Sequence, residues 1–201
     1  MPEKQRNARH LLAIHTRYKN RNEIRSRGIK QRLIIKLLAL QVSYDYHHPS
    51  KSNVTRGVLA EFLSDNIGIS RVNAYHYVFK ELDECLVLNR FVEECGTIAT
   101  GKGPRLLQEI GTPCYCLTPL GMLVASTLED EFDLRKRVEL VEYFLRSKKA
   151  LDTHAFSFVE KLLLHLHKYP QKTLDLIRYS TMEYINGETT DPLDSAYIQG
   201  H

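Results

Sequence analysis

The sequence predicts a mainly α-helical protein with one small β-hairpin, on three observations. Apolar residues recur at the helical period in seven segments, alternation replaces that period only around a glycine-rich stretch, and capping or breaking residues fall between the segments. Ile29, Leu33, Ile34, Leu37, Leu38 and Leu40 mark the first helix, which fades at Asp45 before Pro49. Ser52 or Asn53 can cap a second helix with Val58, Leu59, Phe62 and Leu63 on its apolar face, ending at Asn66 with Gly68 free to turn left-handed. Ser70 caps a third, through Ala74, Tyr75, Val78, Phe79 and Leu82 to Glu84 or Cys85. Leu86, Leu88, Phe91 and Val92 then suggest a strand, Gly96 to Gly111 a long loop, and Pro113 to Thr118 the returning strand.

Thr118 and Pro119 begin a fourth helix carrying Leu120, Leu123, Val124 and Leu128. An acidic cluster from Glu129 to Asp133 leads to a fifth with Val138, Val141, Phe144 and Leu145. Two more are expected, His154 to His167 and Gln171 to Ile185, separated by Pro170. The last residues hold Gly187, Pro192 and Gly200 and little apolar material, so 187–201 reads as a flexible tail.

A length of 201 residues with 43% hydrophobic and 26% charged residues fits one domain with an extension or two small domains, and excludes wholesale disorder and collagen. The longest apolar run, Leu33 to Leu40, contains Lys36 and is far short of a bilayer span, so no membrane partner is expected. No secretory signal is expected either, and a cytoplasmic, nucleoid-associated location is the corresponding expectation. The four cysteines, Cys85, Cys95, Cys114 and Cys116, are too few to staple a fold of this size.

Charge is distributed unevenly. Residues 1–36 hold eleven Lys and Arg against two acids, +9 out of a whole-chain charge of +4, which leaves −5 on the remainder. Cations every two to four positions without compensating acids suit phosphate neutralisation, so 1–26 reads as a basic arm for a polyanion; the plain alternative is a solvated tail. No Trp or Phe anchors this stretch to an acidic membrane surface.

The segment Ile69-Ser70-Arg71-Val72-Asn73-Ala74-Tyr75-His76-Tyr77-Val78-Phe79-Lys80-Glu81-Leu82 resembles the turn and recognition helix of MarR-, PadR- and ArsR-like regulators. Cys114-Tyr115-Cys116-Leu117-Thr118-Pro119-Leu120-Gly121 is similar to the Tyr-x-Leu-Thr-x-x-Gly signature with which such families leave the second wing strand. The resemblance spans about half the chain; it departs from those families in a longer wing and in slightly shifted apolar spacing after Val78. It implies a winged helix-turn-helix over 27–130, of bacterial or archaeal style, followed by a helical extension over 131–186. It also implies a third helix in the major groove, with the wing and flanking basic residues on phosphates.

The side-chain chemistry of this segment points the same way. Arg71, Asn73, His76, Tyr77 and Lys80 fall away from the Ala74, Val78 and Leu82 stripe; Arg71 suits guanine, Asn73 adenine and Lys80 phosphate. Lys102 and Arg105 flank the presumed wing tip, and Arg25, Arg27 and Lys30 flank the first helix. The competing account is the polar outer face that any small helix presents.

Other motifs are weaker. Gly96 to Gly103 spells most of a nucleotide-binding loop, yet Gly103 replaces the magnesium-binding hydroxyl and no helix clearly follows. Cys114 and Cys116 share a strand face near Cys85 or Cys95, but without paired Cys-x-x-Cys spacing they read as small hydrophobes rather than a zinc or redox site. His47-His48 and His165-x-His167 lack ligand spacing. No nucleophile elbow or metalloprotease motif occurs, so neither enzyme activity, cofactor nor metal is expected. The expectation is a regulator binding double-stranded DNA, as a homodimer through Val138, Val141, Phe144, Leu145, Phe156, Val159, Leu162, Leu163, Leu166, Leu174, Ile177 and Met182 of its C-terminal helices. The rivals are a winged-helix docking module in a larger replication, transcription or chromosome-organising assembly, and an RNA-binding role for the arm.

Overall fold

The computed structural model describes residues 12–21, 23–42, 53–99, 110–151, 156–194 and 196. It is mainly helical with a small two-stranded antiparallel sheet, and no described helix is long and apolar enough to cross a membrane. The chain divides into two compact units, one of Ala13–Thr118 and one that contains Pro119–His201.

The unit Ala13–Thr118 contains α1 (Ser26–Leu40), α2 (Arg56–Ile67), α3 (Arg71–Val78) with a π-helical continuation Phe79–Val87, β1 (Val92–Ile98) and β2 (Thr112–Leu117). The buried stripe of α1 differs from the expected one. It includes Gly28, Gln31, Arg32, Ile35, Leu38 and Ala39, while Ile29 and Leu40 are exposed. The polar members of the stripe have a purpose. Gln31 Oε1 accepts the Ala13 backbone N–H at 2.8 Å and Arg32 Nε donates to the Ile14 carbonyl at 2.8 Å, so residues 13 and 14 lie pinned along α1 with the Ile14 side chain fully buried. Arg17 and Ile24 pair across the turn that follows, and the Arg25 N–H donates to Thr16. Residues 13–21 and 23–25, expected as part of a free arm, are thus folded structure; residues 1–11 lie outside the described residues.

The α2 cap is Thr55, which accepts the Val58 N–H, rather than Ser52 or Asn53. Val58, expected inside, is exposed, and the buried face is Leu59, Ala60 and Leu63. Where alternation had suggested a strand beginning near Leu86, the helix continues as a π-helix to Val87, and the chain reverses through Arg90 at φ 60 before β1. Its buried residues Glu81, Leu82, Cys85 and Leu86 repeat every four positions, a spacing that the looser i→i+5 winding accommodates. The hairpin pairs Val92 with Leu117 and Glu93 with Cys116, and is bulged at Cys95. Two strands alone are marginal, and here Tyr115 donates its N–H to Val54 while Val92, Tyr115 and Leu117 are buried.

The unit containing Pro119–His201 has α4 (Pro119–Ser126), α5 (Leu134–Leu151), α6 (Phe156–Lys168) and α7 (Pro170–Asn186). Pro170 opens α7 and Gly187, at φ 81, closes it. Leu123, Val141, Phe144, Leu145, Val159, Leu162, Leu166, Leu174 and Ile177 form one buried cluster, and Leu193 and Ala196 belong to it. Two findings bear on the sequence reading. The presumed flexible tail contributes to this core through Leu193 and Ala196, and most of the side chains that suggested a dimer interface are consumed inside the unit.

Candidate nucleic-acid interface

α3 is held by a short, hydrogen-bonded turn. Gly68 adopts φ 65 and donates its N–H to the Ser64 carbonyl, the Ser64 hydroxyl donates to Ile69 O at 2.6 Å, and the Ser70 hydroxyl accepts the Asn73 N–H at 3.3 Å. The left-handed backbone at Gly68 carries no strain because glycine lacks the Cβ that would clash there. Ala74 and Val78 of α3, with Leu82 beyond it, are fully buried, which rotates Arg71, Asn73, His76, Tyr77 and Lys80 to the surface. Val72 (69% exposed), Tyr75 (48%) and Phe79 (51%) share that outward side, although Tyr75 and Phe79 are among the residues through which the sequence predicts the helix to run. They lie one residue past the Ala74 and Val78 stripe, where the sequence pattern does not distinguish edge from core.

The unit is cationic, with fifteen Lys and Arg against ten Asp and Glu over 13–118, whereas 119–201 has ten against thirteen. Arg71 lies 3.6 Å from Glu61, and both are exposed. Such a pair contributes little, so Arg71 can exchange it for another anion at small cost. The structure brings Lys30 to Tyr77, with Nζ 3.5 Å from the ring centroid, which sets a cation from α1 beside α3. Arg25 is exposed immediately before α1.

Arg27 faces elsewhere. Its Nε donates to Glu81 Oε2 at 2.9 Å, the same oxygen accepts from Gln31 Nε2 at 2.7 Å, and Nη2 of the guanidinium is buried with no hydrogen-bond partner. This arginine ties α1 to the π-helix, a role for which a partner 54 residues away leaves no local mark in the sequence. Lys102 and Arg105 lie outside the described residues.

Sequence reasoning passed over Arg56. Its guanidinium grips Asp83 through Nε (3.1 Å) and Nη2 (2.8 Å) and lies 5.3 Å from the Tyr115 ring and 6.0 Å from the Phe79 ring. The Asp83 hydrogen bond raises its pKa further. Arg56 thereby couples the start of α2 to the π-helix and β2. Burial raises the Tyr115 hydroxyl above its ordinary range, against the lowering effect of Arg56.

Gly96, Thr97 and Ile98 of the nucleotide-loop-like segment are strand residues paired with β2, and residues 100–109 lie outside the description. All four thiols are free. Burial pushes Cys85 up to about 12 and raises Cys114 and Cys116, the last also through its hydrogen bond with Cys95. Protonated, desolvated thiols are poor nucleophiles and poor metal ligands. Among the described residues no group of three or more His, Cys, Asp or Glu is placed to hold a metal ion. His165 Nδ1 lies 3.0 Å from Thr173 Oγ1 and His167 Nε2 3.0 Å from Glu142; His47 and His48 are outside the described residues.

No family model matches the chain, and neither the search of curated proteins nor that of solved structures returns a match.

Proposed function

We propose that the chain is a sequence-specific double-stranded DNA-binding transcriptional regulator of the cytoplasm and nucleoid. In this reading α3 enters the major groove while the hairpin and the basic N-terminal residues grip phosphates. One observation carries it: a capped turn presents α3 with Arg71, Asn73 and His76 outward and Lys80 exposed on its π-helical continuation, in a cationic unit that continues into a two-stranded hairpin. Arg71 and Asn73 occupy the first turn of the helix, where recognition helices meet base edges. A homodimer would present two such helices about 34 Å apart. Its contacts would come from side chains that the C-terminal core leaves exposed, such as Leu164 and Tyr179. Sedimentation at micromolar concentration decides this, and a single monomeric species removes the dimer.

The second reading, a docking module for another protein, draws on the exposed apolar row Val72, Tyr75 and Phe79. Selection of bound fragments from random duplex DNA, repeated across salt concentrations, separates the two. DNA reading predicts an enriched site for which Arg71→Ala and Asn73→Ala each lose about 1–3 kcal/mol, with little change on random duplex. Equal losses on both DNAs would remove the base-reading role, and the absence of any enriched site would favour docking.

A further inference from the structure

We infer that Val72 reads the 5-methyl group of a thymine, so that the preferred site carries a thymine beside the bases met by Arg71 and Asn73. This rests on the DNA-binding reading above. Val72 is 69% exposed in the first turn of α3, flanked in sequence by two side chains suited to hydrogen-bonding bases. A β-branched residue fills a helix surface position less well than Ala, and exposing its two methyl groups to water has no benefit for the fold.

It also begins a row, since Val72, Tyr75 and Phe79 follow the i, i+3, i+7 spacing of one helix side. A single exposed apolar residue needs no explanation, but a row along an outward helix does. The occupant that fits is the major groove rather than an apolar protein surface. Arg71 and Lys80 are exposed beside this row, and the unit as a whole carries excess positive charge. A partner protein would have to offer an apolar strip edged with acids, whereas the groove supplies phosphates on both edges and, in its floor, the thymine methyl as its apolar group.

The test uses the full chain and a site enriched from random duplex DNA, in which each thymine is replaced in turn by deoxyuridine, which lacks only the 5-methyl group. The expected result is one position where the replacement weakens wild-type binding about fourfold, the factor that burying one methyl group supplies. Val72→Ala should abolish the difference between thymine and deoxyuridine at that position, and Val72→Thr, which keeps a methyl, should restore part of it. Because Val72 is exposed, Val72→Thr should unfold at the wild-type urea midpoint and Val72→Ala at it or slightly above it, alanine being the better helix former. An enriched site indifferent to deoxyuridine at every position, or a sensitive position that stays sensitive in Val72→Ala, overturns this inference and leaves the DNA reading intact. Failure to enrich any site overturns both.

Discussion

Gly28 shows at the residue scale how tightly the N-terminal segment is built in. A Cβ there would lie 2.2 Å from the Ala13 carbonyl oxygen and 2.8 Å from Ile24 Cγ2, and the carbonyl is backbone that cannot rotate aside. Alanine gains roughly 1 kcal/mol of helix propensity over glycine. The collision outweighs it, because moving residues 13 and 14 also breaks the Gln31 and Arg32 hydrogen bonds, each worth about 1 kcal/mol. Gly28→Ala is therefore expected to destabilise the protein by about 1–3 kcal/mol, read as a lower urea midpoint at unchanged slope. Gly57→Ala is the control, since its Cβ meets only Thr55 Oγ1 at 3.6 Å, and its midpoint should stay level or rise. Neither Gly28 nor the Gln31 and Arg32 pair was legible in the sequence. Polar residues within a helical run read as solvated, and the acceptors that bury them sit 18 positions away. Ser70 and Gly68 were legible because capping is local chemistry.

Among elements, the π-helical continuation Phe79–Val87 sets which groups are sealed between it and α1. Its winding brings Glu81 and Cys85 inward, where Gln31 Nε2 donates to both, at 2.7 and 3.4 Å. Nothing in the composition of Phe79–Val87 announces i→i+5 bonding, so the sequence reading ended the helix near Cys85 and began a strand, although the Ala74, Val78 and Leu82 stripe was correctly placed. One consequence is a pH dependence. Burial raises the Cys85 thiol from 9.0 to about 12, so the folded protein retains a proton that the unfolded chain releases. Folded pKa above unfolded pKa means that stability is intact below pH 9 and declines as pH rises towards 12. Tyr115 and Cys116, raised in the same direction, steepen the decline. Urea unfolding between pH 8 and 12 should show it. Cys85→Ala should make the slope shallower by up to one proton per molecule, and an unchanged slope would mean that this thiol does not couple to folding.

On the scale of the whole molecule, the cationic stretch 13–118 is followed by a stretch, 119–201, with an acidic excess, and the salt dependence of DNA binding follows from where the cations are fixed. The sequence reading treated 1–26 as one dispensable arm, because charge density alone does not reveal that Ile14 is buried or that Ala13 is hydrogen-bonded to Gln31. Two truncations should therefore behave differently. Removing 1–11 takes away Lys4, Arg6 and Arg9 with Glu3 and should leave the thermal unfolding transition in place. On an enriched duplex it should flatten the slope of log affinity against log salt by about two to three units, if each of the three cations neutralises a phosphate. Removing 1–26 also strips Ala13, Ile14 and the paired Arg17 and Ile24 from α1, and leaves the Gln31 and Arg32 side chains without the backbone groups they bond. Losing the fully buried Ile14 side chain costs about 2 kcal/mol and each of the two hydrogen bonds about 1 kcal/mol, so this longer truncation should lower the unfolding midpoint sharply or prevent folding. An unchanged salt slope after the short deletion would place the DNA-binding charge on the folded cations instead, Arg25, Lys30, Arg71 and Lys80. A fully stable longer deletion would show that α1 closes the unit without the segment pinned along it.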